Sequence, residues 1–329
     1  MKRFNFFIFI FSFFYLCSFS QSGGNVYKVL DLPASSYISS LGGMNISSQA
    51  NEISMATQNP SLLTGEQHQK IGVNFSNYLS KSNFFSAMYG HQLSENDVIA
   101  GFIQYVSFGK FAHTTEENVY LGMLPVKDDV VMSVIYSRRL AEKFHAGVSM
   151  KPVMSFLADY QSFGVAVDVG ANFYDRNIGF SGGVAFKNIG VQFKNYTSSR
   201  SAPLPFSIQL GMSQKLKHAP FCFSLTIHDL QRWNLNPNPA VKVNFADMLF
   251  RHTTWGIEFT PKGFYVALGY NRQRGAELSV KDIRSLAGFS AGLGFRVYKF
   301  NIGASISQYQ KGIWAFQVSA STAVSSFLR

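Results

Sequence analysis

The feature that most constrains this chain is a strict alternation of apolar and polar residues, repeated in segments of about 9–11 residues. In 163–173 one face reads Phe163, Val165, Val167, Val169, Ala171 and Phe173, and the other Gly164, Ala166, Asp168, Gly170 and Asn172. The same pattern occurs at 144–152, 206–216, 221–229, 289–297 and 300–307. A period of two puts successive side chains on opposite faces of a β-strand. Strands of about this length, tilted, cross a bilayer. Past the first twenty residues no apolar run reaches about 18 residues, which excludes a transmembrane helix. In lipid every backbone N–H and C=O has to be paired within the protein, so spanning strands must close into a barrel.

Fourteen segments fit the pattern, roughly 70–79, 83–91, 97–108, 128–138, 143–153, 162–174, 178–188, 205–216, 219–229, 252–260, 263–271, 286–297, 299–308 and 312–321. From the second connection onward, every other one is short: 92–96, 139–142, 175–177, 217–218, 261–262 and 298. Those between them are longer: 109–127, 154–161, 189–204, 230–251 and 271–285. The hairpin tips at 80–82 and 310–311 are short on the long side. Short turns on one rim and long loops on the other mark an outer-membrane barrel. The predicted fold is all-β, a transmembrane antiparallel barrel of about 14 strands over 70–329. Arginine at outward Val167 should then cost about 2–4 kcal/mol near the bilayer midplane, and serine at inward Gly170 or Asn172 far less.

Residues 1–20 read as an export signal. Lys2 and Arg3 precede an apolar run from Phe4 to Leu16, and Ser18 and Ser20 place small residues before a cleavage at Gln21. The bulky Leu16 before Cys17 argues against a lipoprotein. Cleavage leaves Cys222 as the single cysteine, so no internal disulfide forms, and no Cys/His spacing of metal-binding type remains. The mean hydropathy of +0.04 suits two-faced strands better than helical membrane spans. The chain carries 29 Lys and Arg against 18 Asp and Glu, a balance that raises nucleic acid as a partner. Export, and the lack of any aromatic-basic module, exclude it.

Residues 21–69 show little alternation and are rich in Ser and Asn. Glycines on inward faces, such as Gly147, Gly164, Gly170, Gly211, Gly292, Gly294 and Gly303, leave room for this segment as an N-terminal plug of the lumen; a periplasmic leader is the alternative. Several of its elements are familiar: Asn25-Val26-Tyr27-Lys28-Val29-Leu30, Leu32-Pro33-Ala34-Ser35, Leu41-Gly42-Gly43 and Asn59-Pro60-Ser61-Leu62-Leu63. Later come Lys187-Asn188-Ile189-Gly190, His228-Asp229-Leu230-Gln231-Arg232-Trp233, Arg251-His252, Gly269-Tyr270-Asn271 and the run Gly288 to Gly294. Together they resemble the PorQ family, outer-membrane components of the type IX secretion system within the PorV and FadL-like barrel superfamily. The chain departs from common barrel habit by ending Phe327-Leu328-Arg329 rather than on an aromatic residue.

The resemblance implies a FadL-like barrel with residues 21–69 in its lumen. It also implies a non-catalytic anchor in the cell-surface attachment complex, holding a PorZ-like partner beside PorV and the sortase-like PorU. No cofactor is implied. On the residues themselves, Ser107-Phe108-Gly109-Lys110 matches a Ser-x-x-Lys motif, but the serine ends a strand and the companion motifs are absent. His228-Asp229 has no nucleophile beside it, so no enzyme is expected. Inward Lys151 and Asp168 read either as part of a transport path or as an ion pair bracing the plug. Loops 189–204, 230–251 and 271–285 each carry a net +2. Candidate contacts to lipopolysaccharide or an acidic partner are Lys194, Arg200, Arg232, Arg251, Arg272 and Arg274, since Arg forks suit phosphate. Generic binding of lipid phosphates at the rim is the other reading. The functional alternative is a FadL-like transporter of hydrophobic solutes, and a secreted soluble β protein is the third possibility.

Overall fold

The computed structural model describes residues 25–78, 82–114, 120–125, 127–197, 201–236, 243–278, 286–310 and 313–327. The expected leader at 1–20 lies outside these residues, as does Arg200.

Sixteen strands are described: β1 (Lys70–Tyr78), β2 (Ser82–Gln92), β3 (Asp97–Ser107), β4 (Lys110–Thr114), β5 (Tyr120–Pro125), β6 (Asp128–Ala141), β7 (Phe144–Leu157) and β8 (Tyr160–Asp175), followed by β9 (Phe180–Lys194), β10 (Ser207–Lys215), β11 (Phe221–Ile227), β12 (Thr253–Phe259), β13 (Phe264–Asn271), β14 (Phe289–Val297), β15 (Phe300–Gln310) and β16 (Ile313–Ala323). All except β4 and β5 pair antiparallel in chain order, and β1 pairs with β16 to close a 14-stranded barrel. The fourteen expected segments are these fourteen strands. The even count returns both ends of the barrel to the short-turn rim, where the Val324 amide donates to the Gln69 carbonyl at 2.8 Å. Among the described residues no helix is long and apolar enough to cross a membrane.

The long-loop rim differs from expectation in four ways, the first being that β9 keeps pairing with β8 as far as Lys194, so the loop expected from 189 begins after that residue. The loop expected at 154–161 is a tight hairpin, because β7 and β8 keep pairing as far as Leu157 and Tyr160, and Ala158 turns the chain at φ 49°. Phe156, Leu157 and Tyr160 break the apolar–polar alternation there, which hid the extra strand length. The loop at 109–127 contains the β4–β5 hairpin, outside the barrel sheet. Two short helices form in the basic loops, α2 (Phe245–Arg251) and α3 (Arg272–Leu278), in addition to α1 (Ser36–Ser40) in the N-terminal segment.

The two faces of each strand have opposite chemistry. On β1, Val73 and Phe75 are exposed while Asn74 and Ser76 are buried, and on β16 Phe316 and Val318 are exposed while Gln317 is buried. The outside is therefore the apolar face, the inverse of a soluble core. The inner face is not polar throughout. Phe84, Met88, Ala100, Phe102, Val131 and Ile135 of β2, β3 and β6 point inward and are buried. They pack in two clusters with Tyr27, Val29, Leu30, Ile53, Met55 and Leu63. This apolar inner wall exists because residues 25–69 run through the interior and bury their own apolar side chains against it, at about 25 cal/mol per Å² removed from water.

Two turns of this segment rest on inward glycines. Asn59-Pro60-Ser61 lies over the paired Gly147 and Gly170: a Cβ on Gly147 would sit 2.5 Å from the Pro60 carbonyl carbon, and one on Gly170 would strike the Asn59 amide. Leu41-Gly42-Gly43, with Gly42 and Gly43 at φ 86° and 83°, lies over Gly256 and Gly269, and Ser40 just before it lies over Gly292. Serine at Gly170, expected to cost far less than arginine at Val167, would have to displace the Asn59 side chain.

Residues 33–36 also cross the joint between the first and last strands. Gln317 of β16 donates to the Pro33 carbonyl at 3.0 Å, Ser86 of β2 to the Ala34 carbonyl at 2.9 Å, and the Ser36 amide to Ser319 Oγ of β16 at 2.7 Å.

Gly147→Val should destabilise the barrel by about 1–3 kcal/mol, the usual cost of overpacking. Gly101→Val should not, since a Cβ on Gly101 meets nothing within 4 Å. Heat-modifiable gel mobility of the two variants compares them directly, and equal unfolding temperatures would contradict the packing described.

Candidate functional site

The lumen holds a buried polar brace. Lys151 Nζ lies 2.6 Å from Asp168 Oδ1 and donates to Asn188 Oδ1 at 2.5 Å. The Asn188 amide donates to Asp168 Oδ1 at 2.7 Å, and Asn188 Nδ2 donates to the Pro205 carbonyl at 3.0 Å and to Asp31 Oδ1 at 3.1 Å. Asn188 is left-handed at φ 59°, and the β8–β9 register shifts beside it. The Lys187-Asn188-Ile189-Gly190 element is therefore a bulge, held by a carboxylate in the neighbouring strand. Of the two readings of Lys151 and Asp168, this geometry favours the brace, because Asn188 carries the network on to the N-terminal segment. Asp31 keeps contact with solvent, yet the surrounding protein desolvates its carboxyl and pushes it up to about 7, opposed chiefly by Lys187.

Two cavities open at the short-turn rim. One, of about 690 Å³, is lined by polar groups including Glu95, Arg139, Lys143 and Asp175. The other, of about 550 Å³, runs inward from Lys215, Pro261 and Lys299 to Tyr37, Tyr265 and Glu258. The Tyr37 and Tyr265 rings meet edge to face, with centroids 5.3 Å apart and planes at 89°. Tyr265 lies across Gly294 and Gly303, where a Cβ would come within 2.6 Å of its Cζ and 2.7 Å of its hydroxyl. Tyr37 Oη donates to Glu258 Oε2 at 2.5 Å and lies 2.8 Å from Ser48 Oγ. Burial, reinforced by Glu258, holds the Tyr37 phenol well above its ordinary value, so it stays a donor. Glu258 Oε1 is buried without a hydrogen-bond partner.

The long-loop rim is packed around the His228–Trp233 element. His228 donates its amide to the His252 carbonyl at 2.9 Å, while His252 Nδ1 and Nε2 lie 2.8 Å from the His228 carbonyl and 3.0 Å from the Trp233 carbonyl. The Trp233 ring stacks on His252 at 5.4 Å. Gln231 donates to the Phe206 carbonyl at 2.6 Å and accepts from the Ile208 amide at 2.9 Å. Asp229 turns the chain at φ 56°. Each of these residues folds the loop onto the barrel end, and none of these contacts sets up a nucleophile. Ser107 likewise ends β3 beside Gly109, at φ 84°, rather than opening a helix.

The candidate cations separate into two groups. Arg251 and Arg272 converge on Asp247, with Arg251 Nε 2.9 Å from Oδ2 and Arg272 Nε 3.1 Å from Oδ1. Burial raises the Asp247 carboxyl, but hydrogen bonds from Arg272 and Arg251 outweigh it and hold the group below its usual value. Arg274 folds inward, its guanidinium 4.6 Å from the Tyr309 ring and close over Gly43. Lys194, at the end of β9, and Arg232 stand exposed. Beside Arg232 lies an apolar surface that sequence reading missed: Trp233, Phe245, Leu249 and Phe250 are all exposed, and Trp233 packs on Phe245 at 5.4 Å. The spacing of Phe245 and Leu249, four residues apart, was the available signal.

No protein-family model matches the chain, and no curated protein matches its sequence. Solved structures do match. The chain is similar to the Pseudomonas putida toluene transporter TodX, with a TM-score of 0.55 and 11% identity, over 88% of this chain and 98% of that one. The deltaS2 mutant of the TodX monoaromatic hydrocarbon channel aligns with a TM-score of 0.54 at 11% identity, over the same shares. Identity this low speaks to fold alone. The fold is a closed 14-stranded barrel of the outer membrane.

Proposed function

We propose that this outer-membrane barrel passes small hydrophobic solutes, the role named for the toluene transporter whose fold it shares. The observation that carries the reading is the cavity of about 550 Å³ inside the lumen, walled in part by Tyr37 and by Tyr265, whose ring lies across Gly294 and Gly303. Pockets of roughly 300–1,000 Å³ suit small ligands. Reconstituted in lipid-stripped liposomes, the protein should speed toluene entry over protein-free vesicles. Rates equal to those of empty vesicles would overturn the reading.

A second reading comes from the resemblance to the PorQ family: an anchor in type IX secretion that holds a PorZ-like surface protein beside PorU and PorV, in contact with lipopolysaccharide. In it, residues 1–20 direct export, residues 21–69 plug the lumen, and the chain itself catalyses nothing. The exposed apolar surface of Trp233, Phe245, Leu249 and Phe250 beside Arg232 supports it, since such surfaces mark interaction sites. Lack of toluene entry, together with a surface protein co-purifying from solubilised outer membrane, would favour this second reading.

A further inference from the structure

We propose that the cavity at Tyr37, Tyr265 and Glu258 is a binding site for neutral aromatic solutes that carry one hydrogen-bond donor, with phenols the simplest members. The inference rests on the solute-channel reading and adds what that reading leaves open, the chemistry of the solute.

The argument starts from an unpaired acceptor. Glu258 points inward from β12 and is 3% exposed. Its Oε2 is taken by the Tyr37 hydroxyl at 2.5 Å, and its Oε1 meets no donor. A buried acceptor left unpaired is costly, and a bound donor removes that cost. The Glu258 side chain lines a cavity that already exists, and because Oε1 itself is buried, a small ligand reaches it through a shift of that side chain rather than an opening of the barrel. Tyr37 and Tyr265, set edge to face, offer a further ring the same geometry they share with each other.

Charge selects between the donors that could satisfy Oε1. Around the cavity Lys70, Lys215, Arg296 and Lys299 stand with Glu52 and Glu66, so the approach to Glu258 is not negative. An ammonium group would pass these cations to reach one carboxylate, whereas a phenol meets no such barrier and gives Oε1 its hydrogen bond. A pure hydrocarbon fits the aromatic walls but leaves Oε1 as it is. Sites built to hydrogen-bond a hydroxyl discriminate strongly against the analogue lacking it.

Equilibrium dialysis of p-cresol, toluene and benzylamine against the full-length barrel in nanodiscs, with empty nanodiscs subtracted, tests this. p-Cresol should bind about tenfold more tightly than toluene, and Glu258→Met should bring the ratio close to one. Equal affinities in the unmodified protein would overturn the site, as would a ratio that survives in a folded Glu258→Met barrel. Tighter binding of benzylamine than of p-cresol would overturn the neutral class. The comparison in the unmodified protein decides even if the variant does not fold. Toluene entry into liposomes with equal affinities leaves transport standing and removes the site; a p-cresol preference without toluene entry does the reverse.

Discussion

Asp168→Ala should cost the barrel about 3–5 kcal/mol, the penalty for leaving a buried charge without its partner. Asp168 is 1% exposed and Lys151 7% exposed, so the lysine left behind cannot reach water without moving. The same substitution strips the Asn188 amide of its acceptor, and Asn188 is held in a left-handed conformation that a non-glycine residue rarely adopts. Both effects fall on one carboxylate. The double variant Lys151→Met/Asp168→Leu should recover much of the loss, because replacing a buried pair by apolar groups is often neutral. Urea unfolding from lipid vesicles, followed by Trp fluorescence, gives the comparison. A double variant as unstable as the single one would mean that the cost comes from backbone disruption rather than from the orphaned lysine.

Val134→Arg should cost about 2–4 kcal/mol, the penalty for a basic side chain facing lipid near the bilayer midplane. Val134 lies near the middle of β6, is 58% exposed, and sits across from Gly101 and Met150 in the neighbouring strands. Tyr298→Arg, in the short turn between β14 and β15, places the same group at the rim and should cost no more than about 1 kcal/mol. The depth dependence is the informative part: two equal penalties in the same vesicle assay would mean that the outer face is not in hydrocarbon.

Strand number, order and rim assignment were legible because each depends on a local pattern. Alternation marks a strand wherever one face is apolar and the other is not, as in Val73-Asn74-Phe75-Ser76 of β1. It fails where both faces are apolar. Val98, Ala100, Phe102 and Val106 of β3 are buried, yet Ile99 and Ile103 on the opposite face are apolar too, so no alternation identifies this inner wall or what covers it. The contacts of Gly147 and Gly170 with Asn59 and Pro60 were hidden for a different reason: they join positions about a hundred residues apart, and a glycine alone does not name its neighbour. The loop cations were visible as charge but not as structure. Arg251, Arg272 and Arg274 look equivalent in a net-charge count, whereas Asp247 takes two of them and Tyr309 the third. Among the described candidates, Arg232 and Lys194 are the exposed pair.

The crossing of residues 33–36 over the β1–β16 joint has a consequence for how the sheet closes. Antiparallel strands can slip by two residues and keep every side chain on its proper face, so alternation alone does not define the register of the last pairing. Gln317 and Ser319 are successive inward positions of β16, and Pro33 and Ser36 engage them while Ala34 engages β2 on the other side of β1. A slip of two would carry both β16 side chains past their partners at once. Residues 33–36 thereby act as a ruler laid across the closing joint, through bonds such as Gln317 to Pro33, which span 284 positions of sequence. Four residues ahead of the first strand set the alignment of the strand that closes on it.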